Sequence, residues 1–169
     1  MGMEREIALL FTGLIFQKGF GEKVIQRLSP DFGKVLLESD VIPFDFTDYY
    51  TKEMGERLLR QWLLFDCSIE TDMIADIKKQ TILLEKGFSF DGKRRINIDP
   101  GYVTLSKVVL PTTKDFSHRI YLRDNIFAEV TLIYFKGKWQ SLQWTYMDYR
   151  TDTALTFFEA CREYIYSRE

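Results

Sequence analysis

The sequence predicts an α+β fold: a ferredoxin-like split β-α-β core, extended by an antiparallel β-meander, with a C-terminal helix. Three observations lead to this prediction. In the first half of the chain, short apolar runs alternate with segments whose apolar residues recur at helical spacing. In residues 118–144, closely spaced apolar runs are separated by short polar turns. An amphipathic segment with a wide apolar stripe follows them at residues 152–165.

The first elements predict the order β-α-β-β. Residues 7–16 form a short apolar run typical of a buried strand, and residues 21–28 carry apolar positions at helical spacing. We expect this helix to stop at Ser29-Pro30, because proline lacks the amide hydrogen that a helix interior needs. Residues 35–44 predict a second strand. Residues 57–65 fit either a helix or a strand, and we assign them to a strand.

The next elements complete the β-α-β pattern. Residues 71–86 predict a long helix, because apolar residues fall on one face and Thr71 or Asp72 is a suitable N-cap. Residues 94–98 predict a strand. The residues that follow, Asp99-Pro100-Gly101, are typical of a turn that ends a strand.

The second half predicts two hairpins and a helix. Asp124-Asn125 is a two-residue turn that tolerates positive φ, between apolar segments 118–123 and 126–135. A second turn at Lys136-Gly137 leads to a predicted strand over residues 139–144. Asp152 is the expected N-cap of the final helix, whose apolar stripe comprises Ala154, Phe158, Cys161 and Ile165.

Composition favours one globular domain over residues 1–169 and limits the function. A chain of 169 residues with 46% hydrophobic and 28% charged residues has the size and composition of one folded unit. The net charge of −2 argues against a broad nucleic-acid interface, which needs clustered cations. The two cysteines have no metal-binding spacing and predict reduced thiols. With no basic leader before residue 7 and no apolar run of membrane length, we expect a cytoplasmic protein with no membrane partner.

One motif imitates a phosphate-binding loop. Residues 87–93 match G-x-x-x-x-G-K, but Arg94 follows where that loop needs a serine or threonine. A helix precedes the motif and a strand follows it, which is the reverse of the order that places a helix N-terminus at the phosphates. The motif therefore predicts a tight connection.

The segment over residues 107–119 predicts an anion site. It gathers hydroxyls and cations ahead of a strand, a combination suited to phosphate or carboxylate groups. Lys114 and Arg119 are the expected cations, and Thr112 and Thr113 the expected hydrogen-bonding hydroxyls. The alternative is a solvated polar loop with scattered surface charges.

His118, the only histidine, is the candidate for acid–base chemistry. If Asp124-Asn125 forms the turn, His118 lies opposite Thr131 and diagonal to Glu129 on one face of the hairpin. A His118–Glu129 pair then catalyses any proton transfer, or else is a structural pair. Strict alternation places Arg119 on the other face, unless the strand begins after Arg119 or contains a bulge.

Other residues are expected at the edges of this site. Asp99 and Tyr102 are predicted to border it. Residues 43–50 and 144–150 place aromatic side chains beside carboxylates, which suits the walls of a site for a planar ligand or, equally, hydrophobic plugs that close the core. A metal site would need Asp99, His118, Glu129 and Asp148 to converge by an accident of tertiary structure, so none is predicted.

Several of these segments together carry a family resemblance. Asp-Pro-Gly-Tyr at residues 99–102, Thr-Thr-Lys-Asp at 112–115 and His-Arg-Ile-Tyr-Leu at 118–122 are its most distinctive blocks. With residues 43–50 and 144–149, they resemble the prokaryotic domain-of-unknown-function family 4416 over nearly the whole chain. This resemblance implies no particular reaction or cofactor.

Three functional hypotheses follow. The first is binding of a small anionic or phosphorylated ligand through residues 112–119 and the adjoining hairpin, with acid–base catalysis by His118 and Glu129 as an extension. The second is a non-catalytic protein–protein interaction module or homodimer that uses exposed aromatic residues. The third, single-stranded RNA binding by aromatic residues on a sheet face, fits the acidic composition least well.

Overall fold

The computed structural model describes residues 6–169; residues 1–5, part of the segment considered for a leader, lie outside it. The strands are β1 (Leu9–Phe16), β2 (Val35–Glu38), β3 (Ile42–Pro43), β4 (Leu59–Ser68), β5 (Ile96–Val103), β6 (Lys107–Thr112), β7 (Ile120–Arg123), β8 (Ile126–Phe135) and β9 (Lys138–Ser141). The α-helices are α1 (Gly21–Phe32), the one-turn α2 (Thr51–Met54), α3 (Ile74–Gly87) and α4 (Asp152–Tyr166). None of these helices is long and apolar enough to cross a bilayer.

One antiparallel sheet contains the nine strands. Its main order is β2-β4-β1-β5-β6-β8-β7, with β3 paired to β4 and β9 paired to β8. Helix α1 connects β1 to β2, and β4 lies between those two strands. Helix α3 connects β4 to β5, and β1 lies between those two. The predicted α+β class, with a large antiparallel sheet and a C-terminal helix, is confirmed.

Each face of the sheet packs against different helices. Because side chains alternate along a strand, each long strand contributes apolar residues to both faces. Helices α1 and α3 cover the face that carries Leu10, Leu14 and Leu63. Helix α4 covers part of the opposite face, where Phe158 packs edge-on against Phe11 with ring centroids 5.0 Å apart.

The first predicted helix and second predicted strand need correction. Helix α1 continues through Pro30 to Phe32, because Pro30 lies in the last turn and the missing amide removes only one bond. The predicted strand over residues 35–44 breaks into β2 and β3. At the break, Ser39 donates its amide to Trp62 O and accepts from Trp62 N through its side chain, both at 2.9 Å.

The predicted turn at Asp99-Pro100-Gly101 is wrong, because β5 runs through these residues to Val103. Pro100 pairs with Thr12 of β1. The amide of Ile98, two residues earlier, donates to Glu85 and not to β1, so the Pro100 nitrogen also faces the outer edge of β5. On that edge, β6 pairs with β5 only from Tyr102 onwards, so Pro100 removes no hydrogen bond from the sheet. Gly101 is needed for packing, since a Cβ there would lie 2.7 Å from the Val109 carbonyl oxygen.

Helix starts are displaced from the predicted caps. A 3-10 turn over Thr71–Met73 precedes α3, and neither Thr71 nor Asp72 caps the helix with its side chain. The N-cap of α4 is Thr151, whose hydroxyl accepts from Ala154 N at 3.2 Å, one residue before the predicted Asp152.

The first predicted hairpin has the expected turn but a different register. Asp124 and Asn125 both have positive φ, 53° and 58°, as predicted. A bulge between Tyr121 and Arg123 shifts the pairing by one residue, so Ile120 lies opposite Ala128. The other strands nearby differ in extent: residues 107–112, predicted as part of a loop, form β6, and β9 ends at Ser141.

Both cysteines are free thiols. Cys161 is fully buried on the core-facing side of α4, and Cys67 is partly exposed on β4. Burial raises the pKa of both thiols, and the nearby Asp66 carboxylate adds to the rise at Cys67.

Candidate ligand site

The candidate site lies on the part of the α4 face that α4 does not cover. Strands β5 and β6 pair only through Tyr102 and Val103, next to the turn that joins them, and they are unpaired from Gly101 back towards the start of β5. A cavity of about 480 Å³ opens there, lined by Asp99 of β5, Leu110 of β6 and Glu129 of β8. This volume lies within the usual range for small-molecule sites.

The two aromatic segments identified in the sequence both line the cavity. Residues 44–50 contribute Phe44, Phe46, Tyr49 and Tyr50, and residues 146–149 contribute Tyr146, Met147, Asp148 and Tyr149. Phe44 and Tyr50 also pack against a small core around Ile15, Met54 and Leu58. The first segment therefore does both things that the sequence suggested: some of its side chains close the core, and some form a wall of the cavity.

A buried arginine lies at the boundary between α4 and the cavity. Arg60 is 1% exposed, and its guanidinium contacts Asp99 Oδ2 at 3.2 Å and Asp148 Oδ2 at 3.0 Å. It also lies 4.9 Å from the Trp62 ring centroid. Gly13 makes room for it, since a Cβ at that position would be 2.9 Å from Arg60 Nη2.

Burial and charge act in opposite directions on this group. Burial disfavours the charge of Arg60, but the carboxylates of Asp148 and Asp99 outweigh burial and raise the pKa of the guanidinium. Burial raises the pKa of Asp148, and the attraction to Arg60 offsets only part of that rise. Arg60 was not among the predicted site residues, although a charge within the apolar run at the start of β4 is a usable signal.

A second arginine is also neutralised. Arg94 donates to Glu53 Oε1 at 2.8 Å and to Glu85 Oε2 at 3.2 Å, which joins α2 and α3 to the start of β5. The hydrogen bond from Arg94 lowers the pKa of Glu53. Both arginines that line the cavity are therefore already held by carboxylates.

Two lysines remain at the cavity. Lys78 of α3 lies 3.9 Å from Asp99, at the limit of an ion pair. Lys114 forms no ion pair with the acidic side chains of residues 6–169, and its ammonium lies 5.0 Å from the Tyr49 ring centroid. Lys114 is the cation here whose charge is least compensated.

Five of the residues predicted from sequence line this cavity: Asp99, Thr112, Thr113, Lys114 and Glu129. Thr112 also accepts the Lys114 amide through its hydroxyl at 3.2 Å, which fixes the turn after β6. Tyr102 lies on the opposite face of the sheet, in the core beneath α1 and α3. His118 and Arg119 are not part of the cavity lining, but both contact the Glu129 carboxylate.

The carboxylate of Glu129 joins these residues. Its side chain is 2% exposed; Oε2 lies 3.0 Å from Arg119 Nε and 3.4 Å from His118 Nε2. Its second oxygen, Oε1, is buried and has no hydrogen-bond partner within the described residues. The predicted His118–Glu129 contact is present despite the shifted register. Because β7 begins only at Ile120, alternation does not separate His118 from Arg119.

Arg119 ties three segments of the site together. Besides Glu129, it donates to Lys114 O at 2.8 Å and to the Tyr146 hydroxyl at 3.2 Å. Its side chain is 11% exposed. Arg119 therefore positions the site residues, whereas the sequence predicted that it binds the anion directly. His118 is held beside it by stacking on Trp144, with ring centroids 4.7 Å apart.

The segment after β9 closes a gap in the sheet. On one edge of β8, β7 pairs as far as Ala128 and β9 begins at Leu132. Between them, Trp144 Nε1 donates to Val130 O at 2.8 Å, and the Thr145 hydroxyl donates to Thr131 O at 2.6 Å. These bonds hold the following residues, 146–149, at the cavity.

Two other predictions concern groups outside this cluster. Residues 87–93 form the end of α3 and a tight turn, in which Phe90 and Lys93 exchange backbone hydrogen bonds. Within residues 6–169, no three histidine, cysteine or acidic side chains are arranged to hold a metal ion.

Comparison with known families identifies the chain. The sequence model of a domain of unknown function, DUF4416, matches residues 6–165. The chain belongs to the DUF4416 family. The predicted resemblance is thus confirmed, and it covers nearly all of the structure described above. No curated protein and no solved structure matches the chain, so the chemistry of this DUF4416 protein has to be inferred from its own cavity.

Proposed function

We propose that this DUF4416 protein binds a small anionic or phosphorylated ligand in the cavity between β5 and β6. One observation carries the proposal: Lys114 is an uncompensated cation at the edge of a cavity whose arginines are already paired. Thr112 and Thr113 line the cavity next to it and supply hydroxyl donors. Cations combined with hydroxyls recognise phosphate and carboxylate oxygens.

The residues divide into contact and positioning roles. Lys114, with the two threonines, holds the anionic group, and Lys78 adds a second positive charge at the cavity. Glu129 meets the ligand, while Arg119 holds the other oxygen of its carboxylate and His118 Nε2 lies 3.4 Å from that oxygen. Where the bound ligand has a proton to lose, Glu129 is the base and His118 is its partner in an acid–base pair.

Two finer features of the protein are also inferred. The order β2-β4-β1-β5, with helices after β1 and β4, supports a ferredoxin-like split β-α-β unit extended by β6–β9. The two free thiols support a location in the reducing cytoplasm.

A thermal-shift screen tests the proposed function. The probes are inorganic phosphate, phenyl phosphate, benzoate and ribose 5-phosphate. A probe at 100 times its Kd stabilises the fold by about 2.7 kcal/mol, which raises Tm measurably. We expect Lys114→Met to abolish the shift and Lys114→Arg to retain it. Lys138→Met, which removes another exposed lysine at the start of β9, should leave the shift unchanged. Absence of any shift, or a full shift in Lys114→Met, contradicts the proposal.

An interaction surface is the second candidate, because β7 is an edge strand with exposed apolar residues. Ile120 and Tyr121 are 70% and 58% exposed, and the neighbouring Phe116 is 65% exposed. Such an edge can pair with a second copy of the chain or with another protein. Analytical ultracentrifugation tests this: a dimer that Ile120→Lys dissociates favours it, and a monomer excludes the homodimer. RNA binding has no such support, and the net charge of −2 disfavours a nucleic-acid interface.

A further inference from the structure

Glu129 restricts which ligands can bind through an unsatisfied hydrogen-bond acceptor as well as through its negative charge. Its Oε1 is a buried carboxylate oxygen without a hydrogen-bond partner among residues 6–169, and Glu129 lines the cavity. Buried polar atoms are almost always hydrogen-bonded, and leaving one without a partner is costly. A bound molecule with a suitably placed donor would satisfy this atom.

The required partner is a hydrogen-bond donor. Arg119, whose guanidinium is permanently charged, donates a hydrogen bond from Nε to Oε2 of Glu129. An ionised carboxylate accepts hydrogen bonds and donates none. It therefore selects an N–H or O–H group and disfavours a ligand that presents only acceptors at this point.

The cavity walls favour a flat ring. Tyr49 and Tyr146 line the cavity, yet they are 63% and 48% exposed, so part of each ring is available for contact. Aromatic side chains pack well against planar conjugated rings. The two tyrosines belong to segments that are far apart in sequence.

The position of the anion relative to the donor follows from strand geometry. Leu110 of β6 pairs directly with Glu129, and Thr112 lies two residues further along the same strand. A strand advances about 3.3 Å per residue, so Thr112 is about 7 Å from the position opposite Glu129. Lys114 lies beyond Thr112, past the end of β6. The ligand must therefore have its anionic and donor groups at opposite ends.

We infer that the ligand is an anionic compound built on a flat ring, with an N–H donor on the ring at the end away from the anion. The anionic group binds at Lys114, Thr112 and Thr113, and the N–H group donates to Glu129 Oε1. This inference rests on the proposed function and adds the chemical class of its ligand.

Isothermal titration with a matched pair of probes tests this class. Phenyl phosphate carries the ring and the anion, and 4-aminophenyl phosphate adds only the N–H donor at the far end. We expect the amino compound to bind wild-type protein at least about tenfold more tightly. A third probe, 4-(dimethylamino)phenyl phosphate, keeps the nitrogen but has no N–H, and should bind no better than phenyl phosphate. These three measurements need no variant.

Glu129→Gln then assigns the effect to one residue. It should reduce the preference for the amino compound to less than about threefold. Glu159→Gln is the matched control: Glu159 is a partly buried glutamate of α4, outside the cavity lining, and its substitution should leave the preference intact. Circular dichroism confirms that both variants are folded.

The outcomes separate the two proposals. If the three probes bind wild-type protein equally, or the amino preference survives Glu129→Gln, the ligand class is wrong and the anion site stands. If none of the three binds and the thermal-shift screen is also flat, the anion site itself is wrong, and the ligand class with it.

Discussion

The two halves of one sheet face differ sharply, although the same three strands form both. Under α4, β1, β4 and β5 present Phe11, Leu64 and Val103, all fully buried and packed on Phe158 and its neighbours. At the other end, the same strands present Gly13, Arg60 and Asp99. Arg60 and Asp99 line the cavity, and Gly13 leaves room for the Arg60 guanidinium. One half is a dry apolar core and the other holds paired charges.

This difference separates the residues that stabilise the fold, under α4, from the residues that are available to bind a ligand, at the cavity. Close-packed apolar side chains supply most of the stability of a domain. Buried ion pairs contribute little on balance, because desolvation offsets their attraction. We therefore expect substitutions under α4 to change the free energy of unfolding, and substitutions at the cavity to change ligand binding.

The largest expected effect is that of Phe158→Ala. Phe158 is fully buried, contacts the Phe11 ring edge-on and stacks on Tyr149. Its removal leaves a cavity in the α4 half and should lower the free energy of unfolding by about 3–5 kcal/mol, measured by urea denaturation. Tyr49→Ala, at an exposed wall of the ligand cavity, should lower it by less than about 1 kcal/mol. Similar losses in the two variants would break the comparison.

Two strand glycines on this face give a smaller, paired effect. An added Cβ at Gly101 meets the Phe11 ring and lies 2.7 Å from the Val109 carbonyl oxygen. Gly101→Ala should therefore cost about 1–3 kcal/mol of unfolding free energy. At Gly13 the added Cβ meets the end of the Arg60 side chain, so Gly13→Ala should cost less but weaken probe binding. The reverse ranking in urea denaturation would count against the assignment of the two halves.

Arg119→Lys should have an effect near the middle of this range. Lysine keeps the positive charge but cannot bond Glu129, Lys114 O and Tyr146 together, so two of the three contacts are lost. We expect a loss of about 1–2 kcal/mol in unfolding free energy and weaker binding of phenyl phosphate by titration calorimetry. Retention of full affinity would show that Arg119 does not position the site.

The smallest expected effect is on pH dependence. Burial raises the pKa of Asp148, so the folded state holds this proton to a higher pH than the unfolded state does. Between the ordinary aspartate pKa of 3.8 and the raised value, unfolding free energy falls as pH rises, by at most about 1.4 kcal/mol per pH unit. Asp148→Asn should remove this fall, as measured by denaturation from pH 3.5 to 7. An unchanged profile would mean that Asp148 does not titrate differently on folding.

Features that depend on neighbouring residues in the chain were predictable from sequence. The Asp124-Asn125 turn follows from the tolerance of both residues for positive φ, and the α4 stripe follows from helical spacing. Asp99-Pro100-Gly101 was misread because its turn signal is local, whereas the free outer edge of β5 that accommodates Pro100 is a property of the sheet.

The site was predictable only in part, for the same reason. Lys114, Thr112 and Glu129 were predicted from the charges and hydroxyl groups of their side chains, which are evident in the sequence, and all three line one cavity. The sequence did not reveal that β5 and β6 separate, that a bulge shifts the hairpin, or that Arg60 sits between two carboxylates from distant segments. Tyr102 was predicted to border the site, but its side chain belongs to the other face.

An amide-resolved NMR titration with 4-aminophenyl phosphate tests the central claim most directly. If the open half of the sheet is the ligand site, chemical shifts should change at residues 112–114, at Glu129 and at residues 146–149, while the amides of α4 stay unchanged. Changes concentrated on β7 and Phe116, or no changes at millimolar probe, would contradict the assignment of ligand binding to this half of the sheet.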